Sequence, residues 1–162
     1  LTDDELCSDA HTMVSAGSDT AGLTLALGIF YIYKNSEIRK RLHNELGAAY
    51  PHSSDVLKAH WADLEKLPFL SACVYESLRI AVPIGGDLPR VVTGGDWQFK
   101  GIRIPAGTVV SSSANAVNLN GDIFPEPQRF IPERWLDEQG RLSNAKETWL
   151  VSFSKGPRAC IG

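Results

Sequence analysis

No proline interrupts the first fifty residues of the chain, and that stretch opens with Thr2 and Glu5 spaced three apart. A threonine followed three residues later by a glutamate is the pattern of a capping box, in which each satisfies a free backbone N–H at a helix start. Asp3, Asp4 and Glu5 add negative charge where the helix dipole is positive. The pattern predicts one long helix from about Asp3 to Tyr33. Its second half, LTLALGIFYIY from Leu23 to Tyr33, is apolar on every side and is expected to run through an interior. That run falls short of the roughly 20 residues a membrane span needs, so a buried helix is the expected reading.

A second helix is expected over Ser36–Tyr50, with Ile38, Leu42 and Leu46 on one stripe and Pro51 ending it. Short helical pieces are expected near Val56 and Trp61. A third full helix is expected in LPFLSACVYESLRIAV, with Pro68 in its first turn and Pro83 closing it. Beyond Pro83 the period changes. LPRVV, DWQF, IRI and TVVSSS are short β-type runs, separated by turns at Gly94-Gly95, Lys100-Gly101 and Pro105-Ala106-Gly107. Residues 121–150 read as irregular. Helices first and short strands later give a mainly α (α+β) chain.

With 16 basic and 19 acidic residues, the chain shows no surface suited to nucleic acid. Its three cysteines, Cys7, Cys73 and Cys160, are odd in number and contain no C-x-x-C, which argues against a disulfide framework or a zinc knuckle. His11, His43, His52 and His60 have no metal-ligand spacing. The chain contains no G-x-S-x-G, G-x-G-x-x-G or P-loop.

Three constellations carry chemistry. In AGSDTAG, Ala16 to Gly22, two glycines sit inside a helix, where each costs about 1 kcal/mol relative to alanine. Ala16, Gly17 and Thr20 share a face. They make a notch open to a flat ligand, with Asp19 beside it as a possible proton carrier. Thr20 can also bond back to the Ala16 carbonyl. Taken alone, close helix packing at Gly17 and a solvated Asp19 explain the motif better. In YESLRIA, Glu76 and Arg79 lie three apart between apolar flanks, a candidate buried pair for which Arg134 of PERW can supply a further partner. In FSKGPRACIG, Gly156 allows a tight turn, Pro157 stiffens it, Arg158 places a cation near Cys160 and Gly162 removes bulk after it. Those surroundings suit a thiolate held toward a large planar cofactor. The plain alternative is a buried structural cysteine.

FSKGPRACIG matches F-x-x-G-x-R-x-C-x-G at Phe153, Gly156, Arg158, Cys160 and Gly162, and so resembles the haem-binding loop of the cytochrome P450 family. ESLR resembles the family's E-x-x-R, PERW its P-E-R-[FW], and AGSDT its oxygen-groove [AG]-G-x-[DE]-T, all in the family's order. GDLPRVVTGG, IPAGT and PERWL look eukaryotic and possibly fungal.

The resemblance implies a haem cofactor with Cys160 as the axial thiolate, which pushes electron density toward iron. It implies that Arg158 and Arg90 pair with the propionates, that Phe153 shields the sulfur side, and that Ala16, Gly17 and Thr20 line the oxygen groove. Asp19 and Thr20 are implied as a proton relay. Glu76, Arg79 and Arg134 are implied as a structural charge triad. Substrate-facing candidates are Thr12, Ser15 and Ala16.

The implied activity is insertion of one oxygen atom from O2 into a small organic substrate, with electrons from a reductase that is NADPH-dependent in eukaryotic members. The alternatives are a haem-thiolate isomerase, dehydratase or peroxygenase, and a piece unable to hold haem. By the family's standard, residues 1–162 are expected to be a partial domain, from the oxygen-groove helix to the haem loop, inactive in isolation. Attachment to the endoplasmic reticulum through an anchor outside the chain is the expectation for a microsomal member.

Overall fold

In the computed structural model, which describes residues 1–161, the chain is mainly α with a small β region. Helix α1 spans Asp3–Lys34. Its start is a true capping box: Glu5 N–H donates to Thr2 Oγ1 at 3.3 Å, and Thr2 N–H donates to Glu5 Oε2 at 2.7 Å. Asn35 ends this helix and begins the next. Its own N–H donates to Tyr31 O, while its side-chain oxygen accepts from Glu37 and Ile38 N–H to open α2, Ser36–Ala49. Two single turns follow, α3 (Ser53–Val56) and α4 (Trp61–Leu64). His60 caps α4 by accepting the Ala62 N–H at Nδ1.

Helix α5, Pro68–Ala81, organises the rest. Its own N-cap, Leu67, has no side chain to offer. Glu45 of α2 fills the gap and accepts from both Phe69 N–H and Leu70 N–H at 2.8 Å. One flank of α5 packs Phe69 and Cys73 against Ile38 and Phe130, with Tyr31 stacked on the Phe130 ring at 5.3 Å. Another flank packs Ala72 against Phe124 and Trp135. The helix ends at Val82, buried and held at φ 33° just before Pro83, a left-handed conformation that a β-branched residue adopts only under strain.

The β region is two nested antiparallel pairs. β1 (Arg90–Val91) pairs with β4 (Val109–Val110), and β2 (Trp97–Phe99) pairs with β3 (Ile102–Ile104), Trp97 opposite Ile104. Lys100 and Gly101 join the inner pair with φ of 49° and 80°, the double positive φ that matches strand twist in a tight hairpin. A short helix the sequence reading did not anticipate, α6, covers Ala114–Asn118 and is capped by Ser113. Residues 121–150 are mostly irregular, with 3-10 turns at Pro132–Trp135 and Asn144–Trp149.

The second half of α1 departs from expectation. Only Gly28 in this helix is buried, while Leu25, Ile29, Phe30 and Tyr33 are exposed. The physical reason is that α1 meets α5 along one narrow line. A Cβ at Gly28 would collide with Ser77 Oγ and stand 3.1 Å from Ser77 Cβ, so the absence of a side chain sets how closely the two helices approach. Nothing among the described residues covers the other faces. Counted whole, α1 is long and apolar enough to cross a membrane, although the Leu23–Tyr33 run alone is not. Length and composition are equally met by a core helix, and Gly28, Tyr31 and Ile32 pack against α5 and its neighbours.

Candidate functional site: a buried charge cluster beneath a cysteine loop

The most constrained group of side chains lies where α5 meets the Pro132–Trp135 turn. Glu76 and Arg79 are both fully buried. One helical turn apart, they form a two-pronged pair: Arg79 Nε donates to Glu76 Oε2 at 2.9 Å and Nη2 to Oε1 at 2.7 Å. Arg79 spends its remaining donors on three backbone carbonyls, those of Asn118, Pro127 and Arg129, at 2.8, 2.8 and 3.1 Å. Glu76 also accepts from Ile131 N–H, Arg134 Nε and Trp135 Nε1, at 2.9, 3.1 and 2.9 Å. Every lone pair and every proton of the central pair thus has a partner, the condition under which a buried ion pair is tolerated. Two turns of irregular chain are thereby tied to one helix.

Arg134 is less complete. Its Nη1 donates to Pro125 O, but Nη2 is buried with no acceptor among the described residues. Arg79, Arg134 and Lys146 all stand over the Phe124 ring, at 5.3, 6.0 and 5.6 Å. The ring face offsets part of the excess positive charge around Glu76. Burial, then repulsion from Arg134, holds the Lys146 ammonium below its usual range.

The cysteine loop begins directly beyond this cluster. Ser154 N–H donates to Val151 O, Ala159 N–H to Gly156 O, and Cys160 N–H to Phe153 O at 2.9 Å. Ser154 and Gly156 adopt φ of 60° and 79°, and a 3-10 turn spans Gly156–Arg158. The loop is therefore closed upon itself. It presents the Cys160 thiol, Arg158 and the Phe153 ring to the outside. Phe153 is 52% exposed, so the ring does not enclose the sulfur within the described residues. Gly162 lies outside them.

Cys160 differs sharply from Cys73. The latter is 1% exposed, and burial, reinforced by the charges of Glu133 and Glu45, pushes its thiol up to about 12. Cys73 is the inert structural cysteine, whereas Cys160, like Cys7 on α1, is accessible. Arg90, on β1, is exposed, and its guanidinium donates to the Pro89 carbonyl at 2.8 Å.

On α1, Thr20 Oγ1 donates to Ala16 O at 2.7 Å, one of three such back-bonds with Thr12 to Ser8 O and Thr24 to Thr20 O. A Cβ added at Gly17 or Gly22 would meet nothing within 4 Å, so the notch is open and close packing at Gly17 is not its explanation here. Asp19 and Ser15 are exposed and Thr20 half-buried. No hydrogen bond or ion pair among the described residues joins this face to the cysteine loop.

Sequence reasoning missed Trp135, whose indole was available inside PERW, and it missed Asn118, Ser152 and Glu45. No spacing rule points to these three, because their partners lie 24 or more residues away.

The chain is mainly helical, its core holds a fully buried carboxylate–guanidinium cluster, and a self-closed glycine loop carries an accessible thiol. The family model "Cytochrome P450" matches residues 1–162, and the chain belongs to the cytochrome P450 family. It is 39% identical over 155 residues to cytochrome P450 monooxygenase cloA of Claviceps purpurea (strain 20.1), covering 95% of this chain and 29% of that protein. It is 38% identical over 162 residues to cytochrome P450 monooxygenase ankB of Aspergillus thermomutatus, covering 100% and 30%. It is also 38% identical over 154 residues to a protein of Claviceps fusiformis named inactive cytochrome P450 monooxygenase cloA, covering 95% and 29%. The chain thus spans about a third of the length of these fungal relatives.

The residues present fit a haem. No group of three His, Cys, Asp or Glu among the described residues is placed to hold a metal ion. The thiol is accessible, and the exposed cations Arg158 and Arg90 suit acidic substituents.

Proposed function

We propose that the whole protein is a haem-thiolate monooxygenase in which Cys160 binds the iron. The observation that carries this reading is the accessible Cys160 thiol on a loop closed by its own backbone. Of the other two cysteines, Cys73 is sealed in the core and Cys7, though exposed, rides on helix α1 rather than on such a loop. When bound, the iron porphyrin supplies activation of O2, with electrons from a reductase, for transfer of one oxygen atom to a small organic substrate.

The chain's own residues do the rest. The Cys160 loop orients the sulfur, since the Cys160 N–H to Phe153 O bond fixes the backbone on which it rides. Arg158 and Arg90 hold carboxylates. The Glu76–Arg79–Arg134 cluster keeps the region beneath the loop rigid and takes no part in chemistry. On α1, Ala16 and Gly17 leave room beside the helix. Thr20 keeps its proton on Oγ1, donated to Ala16 O, and can deliver it by rotating away from that carbonyl. Asp19, exposed to solvent one residue earlier, is the group that replaces it. Thr12, Ser15 and Ala16 face the substrate. The acid–alcohol pair favours this chemistry over the isomerase, dehydratase and peroxygenase alternatives, which do not use O2 and so need no protons for its reduction.

Relatives of equal similarity include one named inactive, so the activity rests on measurement. The test is the carbon monoxide difference spectrum of the whole protein with and without Cys160. Loss of the thiolate-type band in Cys160→Ala is expected. An unchanged spectrum overturns the assignment.

A further inference from the structure

Asn118 is fully buried, yet neither the charge cluster nor the cysteine loop as described so far accounts for its side chain. It is the last residue of α6. Its backbone carbonyl accepts from Arg79 Nη1 at 2.8 Å. Its side-chain Oδ1 accepts from Val151 N–H at 3.1 Å, and its Nδ2 donates to Ser152 Oγ at 2.9 Å and to Arg79 O at 3.4 Å. Ser152 Oγ passes its own proton to Leu78 O at 2.6 Å. The very next residue, Phe153, offers the carbonyl that accepts from Cys160 N–H, and Ser154 N–H closes back on Val151 O.

An unbroken path of hydrogen bonds therefore runs from Glu76 through Arg79 to Asn118, across to residues 151 and 152, and into the loop that carries Cys160. No side-chain hydrogen bond among the described residues joins Glu76 or Arg79 to that loop directly. The choice of side chain follows from the geometry. Two adjacent loop residues present a donor and an acceptor, and a carboxamide is the short neutral group that answers both at once. A leucine of similar size would leave the Val151 N–H buried and unpaired. An aspartate would keep the acceptor, lose the donor and bury a charge.

We propose that Asn118 is a positioning residue that registers the Cys160 loop against the buried Glu76–Arg79 pair. Its value for function rests on the reading of Cys160 as the iron ligand. Its mechanical part, anchoring the loop's first limb to α5, does not.

The test uses the whole protein, haem-free and haem-loaded, and the variants Asn118→Leu, Asn118→Asp and Ser152→Ala. Amide hydrogen exchange is followed by mass spectrometry in peptides covering residues 150–161 and, as an internal control, residues 68–75. In Asn118→Leu, exchange in the loop peptide is expected to quicken by about ten- to hundredfold, the worth of a buried hydrogen bond whose loss strands its partner. The α5 control peptide is expected to stay at the parent rate. Asn118→Asp is expected to fall between the two. In the loaded protein the same order is expected in the fraction of carbon monoxide complex lost from the thiolate-type band.

If Asn118→Leu does not fold, Ser152→Ala, which removes one arm only, carries the test. Loop exchange at the parent rate in a folded variant overturns the proposal. Failure here is separable from failure of the functional reading. Parent-rate exchange with a Cys160-dependent spectrum sinks the anchor alone. Accelerated exchange with a spectrum indifferent to Cys160 sinks the ligand assignment alone.

Discussion

Replacing Glu76 by glutamine changes the shape of the buried cluster hardly at all and its chemistry completely. The carboxylate accepts five hydrogen bonds: three at Oε1, from Arg79 Nη2, Ile131 N–H and Arg134 Nε, and two at Oε2, from Arg79 Nε and Trp135 Nε1. A glutamine keeps one oxygen. Its better orientation places the oxygen at Oε1, so the new NH2 faces the donors of Arg79 and Trp135, and those two bonds are lost. Each buried donor stranded in this way costs about 1–3 kcal/mol. The substitution also leaves two guanidinium groups with no carboxylate between them. Breaking a buried pair from one side costs about 3–5 kcal/mol, which agrees with the bond count. Against a domain stability of about 5–15 kcal/mol, that is a fifth or more of the total.

The assay is urea unfolding of the whole protein followed by far-ultraviolet circular dichroism, read as a shift in midpoint at constant slope. Glu133→Gln is the matched control. It removes a carboxylate from the half-exposed Arg41–Glu133 pair, 3.1 Å apart, and an exposed pair is worth at most about 1 kcal/mol. A Glu76→Gln loss no larger than the control's would refute the claim that full burial and complete pairing make this cluster the keystone of the fold.

Other outcomes follow from the same structure. Glu45→Ala removes the cap from the start of α5 and is expected to destabilise the protein by about 1–2 kcal/mol in the same assay, since the only acceptor for Phe69 and Leu70 N–H is lost. Gly28→Ala sets a methyl against Ser77 and is expected to cost about 1–3 kcal/mol despite alanine's better helix propensity. Combining it with Ser77→Gly recovers most of that loss. Cys73, pushed up to about 12 by burial, stays protonated in the fold when the unfolded chain ionises near pH 9. Its contribution to stability is therefore full below about pH 9 and declines as pH rises toward 12, and a pH series comparing the parent with Cys73→Ala measures it. Below pH 9, iodoacetamide is expected to label the exposed Cys7 and Cys160 of the haem-free protein and leave Cys73 untouched until unfolding. Thr20→Ala in the loaded protein is expected to release electron flow from product formation, and unchanged coupling removes Thr20 from the proton path.

How much was legible in the residues depends on the range of the interaction that shapes each part. Thr2 and Glu5 announce the start of α1 because both halves of a capping box lie within one turn. The same local logic reads the Lys100-Gly101 hairpin and the Pro68 start of α5. Glu76 and Arg79 declare themselves by their spacing, and the apolar flanks suggest their burial. The sequence reading could not see that Arg79 divides its protons among three carbonyls from residues 118, 127 and 129, because no local pattern encodes a bond to a distant backbone oxygen. The exposure of α1 was misjudged for a related reason. Hydrophobicity on all faces states what a helix needs, and which faces are covered depends on what packs there.

The linear order of residues thus determined the longer helices, the turns, the cysteine loop and the family to which the chain belongs, while the exposure of the Cys160 thiol came from the fold. All but that exposure follow from contacts a few positions apart or from motifs read in order. Only the folded chain decided that Glu76 would be ringed by five donors, that Glu45 would cap a helix it does not belong to, and that Asn118 would tie the charge cluster to the cysteine loop. Apart from the two that Arg79 donates to Glu76, those bonds join residues 24 to 59 positions apart, and a buried polar group finds its partner by where the backbone passes, which no short stretch of sequence specifies.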